Sequence, residues 1–125
     1  MGTRSRIGIQ LKDDSILSVY HHYDGYPQWL GVKLEQLFYT RELVSELIDG
    51  GDMSSCYQSD EHPVPEYYSQ RGEVCAPHLD SSLEEYLKDG EEFAYVYTKN
   101  NTWKCFDRHE FDDDKSPELV PIPLG

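Results

Sequence analysis

Arg4–His22 reads RSRIGIQLKDDSILSVYHH, and its patterning decides the fold. Ile7, Ile9 and Leu11 alternate with Arg4, Arg6 and Gln10. A period of two marks a half-buried strand, with apolar residues on one face and the arginines on the other. Lys12-Asp13-Asp14 supplies a turn, and the run 15–22, rich in Ile, Val and Tyr, returns as a second strand. The pair is expected to form an antiparallel hairpin. Asp24-Gly25-Tyr26-Pro27 ends it with turn chemistry.

Downstream the period changes. Leu30, Leu34, Leu37 and Phe38 share one stripe, so a helix is expected over 28–39. Thr40 can cap a second helix over 41–49, whose apolar face is Leu43, Val44, Leu47 and Ile48. Gly50 stands where a left-handed residue is expected after it. Arg41, at the start of this helix, is expected on solvated surface. Residues 51–79 have no clear period and are broken by Pro63, Pro65 and Pro77, which predicts a long ordered loop with a function. Ser81-Ser82-Leu83-Glu84-Glu85 has a capping-box pattern, predicting a short helix over about 81–89 that ends at Gly90. Phe93, Tyr95 and Tyr97 alternate with Ala94, Val96 and Thr98 as a strand, and Asn100-Asn101 can turn the chain into a last strand over 102–108. The predicted class is α+β, a small antiparallel sheet built from N- and C-terminal hairpins, with two to three short helices and the long loop. A single ligand-binding domain is expected over 1–111. Residues 112–125 then form an acidic, Pro-spaced tail, extended and packed on a neighbour. Free sheet edges make pairing between subunits plausible.

Composition narrows the function classes. The net charge is -13, from 24 acidic against 11 basic residues. Such a chain is a poor partner for long nucleic acid, whose phosphates need a basic face, and for anionic membranes. It suits solubility or docking on a basic partner. The N-terminus MGTRSRIGIQLKDDS has no apolar core of a signal peptide, and no run approaches a membrane span. Cys56, Cys75 and Cys105 are odd in number, which fits free thiols in a reducing cytosol.

Candidate chemistry concentrates in Ser18–Gly31, SVYHHYDGYPQWLG, and in the long loop. His21, His22 and Asp24 invite an acid–base reading, but neighbouring residues of a strand point to opposite faces and no nucleophile motif accompanies them. Cys56, His62, Cys75 and His78 could close a zinc site, though Cys56-x5-His62 is looser than a standard pair, and no metal or cofactor is expected. The chain holds 10 tyrosines. Tyr23, Tyr26, Tyr67, Tyr68 and Trp103, on or near loops, could stack a purine for about 1–3 kcal/mol per base. Arg71 sits among Tyr67, Tyr68 and Gly72 as a clamp for a phosphorylated ligand, whereas Arg108 ends the last strand two residues after Phe106. Arg4 and Arg6 share a strand face that meets either a groove or water.

Four stretches carry a resemblance: Arg6-Ile7-Gly8-Ile9, Ser18–Pro27, Gly51-Asp52-Met53-Ser54-Ser55, and Tyr68-x-x-Arg71-Gly72-Glu73. Together they resemble a phage-encoded family, the first-described anti-Thoeris sponge proteins, over about residues 5–108. Family members usually have Trp where this chain has Tyr23, and often a second Arg where it has Ser69 or Gln70. The resemblance implies a protein that is not an enzyme. It would bind the glycocyclic ADP-ribose signal of a host TIR-domain sensor and release it intact. It also implies a homo-oligomer, dimer or hexamer, in the host cell cytoplasm, with a cyclic trinucleotide as a possible second small-molecule partner. The residues that would bind ligand are His21, Tyr23, Asp24, Tyr68, Arg71, Trp103, Phe106 and Arg108. One allocation puts Arg71 on pyrophosphate, Tyr68 or Phe106 on adenine, and Asp24 on a ribose hydroxyl. The rival readings are an acidic inhibitor of a host defence nuclease and a cyclic-nucleotide phosphodiesterase using His21 or His22.

Overall fold

In the computed structural model, residues 3–57, 61, 65–67, 76–88, 92–108 and 117–123 are described. β1 (Ser5–Gln10) and β2 (Ile16–His21) pair antiparallel from Ser5↔His21 to Gln10↔Ile16. Asp14, left-handed at φ 71°, turns the chain between them, and Asp13 accepts the Ser15 N–H at 3.1 Å. β6 (Phe93–Tyr97) and β7 (Trp103–Asp107) likewise pair antiparallel, with Asn101 left-handed at φ 61° in the turn.

The sheet is mixed, not antiparallel as expected. β1 lies parallel to β6, from Ser5↔Phe93 to Ile9↔Tyr97. The first strands of the two strand pairs stand side by side, and a parallel neighbour is reachable because a long crossover separates them. With β3 (Met53–Ser55), β4 (Glu66–Tyr67), β5 (His78–Asp80) and β8 (Glu118–Val120), the sheet has eight strands in the order β4-β3-β2-β1-β6-β7-β8, with β5 also on β2. The segment 51–79 thus contributes strands to the sheet among its described residues. The tail does so too, since β8 pairs antiparallel with β7.

Helices cover both faces. A π-helical turn, Pro27–Gly31, runs into α1 (Val32–Leu37), in place of the single helix expected over 28–39. Pro27 has no N–H to give, and the Trp29 and Leu30 N–H groups both donate to Tyr26 O, so the first turn is irregular. α2 (Arg41–Asp49) begins at Thr40, whose Oγ1 accepts the Leu43 N–H at 3.2 Å. The left-handed residue that follows is Gly51, at φ 86°, not Gly50. Arg41 is no surface bystander: it donates to Gln10 O at 3.1 Å and Thr98 O at 2.8 Å, tying α2 to the ends of β1 and β6. Ile7, Ile9, Val19, Tyr95 and Tyr97 bury against Leu30, Leu34, Val44, Leu47 and Ile48 of this helical layer.

The opposite face is covered by α3 (Leu83–Lys88), whose Ser82 Oγ accepts the Glu85 N–H. Tyr86 is its anchor, buried on Ile16, Ala94 and Val96 and donating its hydroxyl to Tyr95 O at 2.8 Å. Gly8 makes that approach possible. A Cβ there would stand 2.7 Å from Ile16 Cγ2 and 3.2 Å from the Tyr86 ring. No helix among the described residues is long and apolar enough to cross a membrane.

Gly8→Ala should therefore destabilise the fold by about 1–3 kcal/mol through overpacking. Tyr86→Phe, which loses one buried hydrogen bond, should cost about 1 kcal/mol. Urea unfolding monitored by tryptophan fluorescence checks both.

Candidate functional site

The outer edge of β2 has two different neighbours. β5 takes its first half, antiparallel, from Ile16↔Asp80 to Ser18↔His78. β3 takes its end, parallel, at His21↔Met53, and the Met53 and Ser54 carbonyls accept the N–H groups of His22 and Tyr23. Between the two the ladder is interrupted at Tyr20. Asp52 fills the gap: its Oδ1 accepts the Tyr20 N–H at 2.8 Å. A carboxylate replaces a strand as the partner of that backbone group.

Where β5 and β3 diverge, a cleft of about 490 Å³ opens, lined by Arg6, Asp52, Ala76 and His78. It has the volume of a small-molecule site and is shallow, standing largely open to solvent. Arg6 stands directly opposite Tyr20 across the β1–β2 ladder. Its Nε and Nη2 donate to Ser18 Oγ at 3.1 and 3.0 Å, and Nη2 also to Ser18 O at 3.2 Å. One edge of the guanidinium is thereby locked. Nη1 makes no hydrogen bond among the described residues, and no ion pair joins Arg6 to Asp52 there. His78 lines the same cleft and meets Asp80 Oδ1 through Nε2 at 3.3 Å.

A ladder of rings continues from this cleft along β2. The Tyr20 hydroxyl and His22 Nδ1 share a hydrogen bond of 2.7 Å. The His22 ring meets the Tyr23 ring edge-on at 4.6 Å, and Tyr23 is half exposed. Asp24, also exposed, is left-handed at φ 51° and turns the chain toward the buried Gly25, whose carbonyl accepts the Tyr95 hydroxyl at 2.7 Å.

The sequence-derived site residues divide. Tyr23 and Asp24 are at the surface. His21 is not: it is wholly buried, Trp29 lies 6.3 Å away ring to ring, and its Nε2 accepts the Cys56 N–H at 3.0 Å. That bond leaves the proton on Nδ1, which has no partner among the described residues. Burial, helped by the neighbouring His22, lowers the pKa of His21 from 6.5 to about 3, so it is neutral at physiological pH. Trp103 and Phe106 stand on opposite faces of β7. Trp103 packs edge-on to Tyr97 and donates its indole N–H to Phe38 O at 2.8 Å. Phe106 belongs to the small cluster under α3, two strands from Arg6 across Ala94. Arg108 donates to Leu87 O and, at 2.9 Å, to Lys88 O, and so satisfies carbonyls at the end of α3. Tyr68 and Arg71 lie outside the described residues. So do His62 and Cys75 of the zinc alternative; Cys56 is buried, its thiol pushed up to about 12 by burial. Among the described residues no cluster of His, Cys, Asp or Glu is placed to hold a metal ion.

In the sequence Arg6 is left between a groove and water, and Asp52 is not singled out. Arg6 was legible as a strand residue on the polar face. Asp52 lies in the aperiodic run after α2, where nothing local shows that its carboxylate reaches β2. No protein-family model, curated protein or solved structure matches this chain.

The buried His21 makes stability pH-dependent. Below pH 6.5 the unfolded chain takes up a proton that the folded chain refuses until about pH 3. Stability should fall as pH drops through that window, by about 1.4 kcal/mol per pH unit from this group. His21→Gln, whose amide oxygen can still accept the Cys56 N–H, should flatten the dependence between pH 6.5 and 5. Urea titrations at a series of pH values measure the slope.

Proposed function

We propose that this protein captures a small signal nucleotide of the cyclic ADP-ribose class and holds it intact, as phage anti-Thoeris sponge proteins do. The observation that carries the reading is the cleft at the β2 fork, with a guanidinium, a carboxylate and an imidazole on its walls and aromatic rings beside it. Two of the stretches behind the resemblance, Arg6–Ile9 and Gly51–Ser55, meet there through Arg6 and Asp52. Capture without turnover needs preorganised contacts and no activated nucleophile. Arg6 is held in place by Ser18, and His21, one of the two histidines open to an acid–base reading, is buried and neutral. On this reading the protein acts in the host cell cytoplasm as a homo-oligomer, and the 51–79 segment, with Tyr68 and Arg71, works as a ligand loop. Silencing a nanomolar signal requires about -12 kcal/mol of binding free energy.

Calorimetry with glycocyclic ADP-ribose tests the proposal. Tight binding is expected, followed by recovery of unaltered ligand from the supernatant after heat denaturation. Hydrolysed product would assign a phosphodiesterase instead. The acidic surface, at net charge -13, favours one other reading, an inhibitor docked on a basic nuclease. That alternative expects no heat with any cyclic nucleotide, and nuclease inhibition that weakens when surface carboxylates are neutralised.

A further inference from the structure

We infer that Arg6 and Asp52 divide the cleft between the two halves of a ribose phosphate, Arg6 taking the phosphoryl group and Asp52 the ribose hydroxyls, so that the site selects ribonucleotides over 2′-deoxyribonucleotides. The inference rests on the nucleotide-binding reading above and assigns the chemistry of its site.

It starts from an apparent conflict in the cleft. Ser18 takes Nε and Nη2 of Arg6, and no described residue hydrogen-bonds Nη1, so the charged guanidinium keeps Nη1 as a charge-assisted donor for a phosphoryl oxygen. Asp52 lines the same space and would repel a bare anion. The conflict disappears for a ligand that carries an anion and hydroxyl donors a few bonds apart. An ionised carboxylate only accepts hydrogen bonds, so its natural partners are the vicinal hydroxyls of a ribose. Asp52 is also fixed for the task. Its Oδ1 is bound to the Tyr20 N–H, which is part of the sheet, so the carboxylate is oriented before any ligand arrives. The opposing charges on the two walls set the direction of the ligand: phosphate toward β1, sugar toward the 51–53 segment. Free phosphate satisfies only one wall and should bind poorly.

The same geometry supplies the discriminating variant. In Asp52→Asn the amide Oδ1 still accepts the Tyr20 N–H, so the ladder and the fold are kept. The second carboxylate oxygen becomes an amide donor and the negative charge is gone. Ala76, exposed on the cleft wall, provides a second variant: Ala76→Tyr fills the space without touching the core.

The experiment is calorimetry on the full chain with AMP, 2′-deoxy-AMP, inorganic phosphate and glycocyclic ADP-ribose. Thermal melts of each variant report the fold. Wild type should bind AMP about tenfold or more tightly than 2′-deoxy-AMP, the worth of one charge-assisted hydrogen bond, and should bind phosphate more weakly than either. Asp52→Asn should bind the two nucleotides alike, and Ala76→Tyr should bind neither. Equal wild-type affinities for AMP and 2′-deoxy-AMP, no binding of AMP, or an undiminished preference in Asp52→Asn would each overturn the assignment. Should glycocyclic ADP-ribose bind wild type and both variants equally well, this assignment fails while the capture reading stands. Should wild type bind none of the four, both fail.

Discussion

Both edges of β1 are occupied, by β2 on one side and β6 on the other, and this double pairing constrains everything else. A strand so placed must satisfy two packing faces at once. Its odd positions, Ile7 and Ile9, enter the main core beneath α1 and α2. Its even positions are Arg6, Gly8 and Gln10, and only a residue without a side chain at Gly8 lets Tyr86 lie on the sheet. Tyr86 in turn binds Tyr95 O, so α3 is keyed to β6 through the gap that β1 leaves. The position two residues before that glycine is Arg6, whose guanidinium is held by Ser18 and lines the cleft.

The cleft is a consequence of how β2 ends. One strand cannot have a parallel and an antiparallel neighbour on one edge without an interruption, and here the interruption falls at Tyr20. A bare N–H at that point would be costly if left without a partner. Asp52 supplies the missing acceptor and, in doing so, brings a charge to the lip of the gap. On the proposed assignment, structural repair and ligand chemistry fall to the same side chain, and its amide analogue separates the two roles.

Ser18–Gly31, so dense in rings and polar groups, is mostly framework. His21 holds the Cys56 N–H, Gly25 O takes the Tyr95 hydroxyl, and Leu30 and Gly31 are buried. What remains toward the surface is His22, Tyr23, Asp24, Tyr26 and Gln28. Arg41 and Arg108 follow the same pattern. Each satisfies backbone carbonyls where an element ends, work for which a forked five-donor group is well shaped.

The alternation of Ile7, Ile9 and Leu11, the 41–49 stripe behind Thr40 and the Phe93–Tyr97 period each determined an element correctly by local rules, because strand and helix periods are set within a few residues. The same rules placed His21 and His22 on opposite faces of β2. They did not reach Gly51 as the left-handed residue, the π-helical entry at Pro27 or the strands within 51–79, where short pieces depend on partners elsewhere. They pointed to an antiparallel sheet, since hairpins are the pairings that neighbouring runs announce. That the two strand pairs join through parallel β1 and β6 was decided by tertiary packing, which selects among edges far apart in the chain. The site followed the same division. Arg6 belonged to a visible polar face, but only the pairing of β3 and β5 along one edge of β2 opened a cleft beside it and brought Asp52 to its rim.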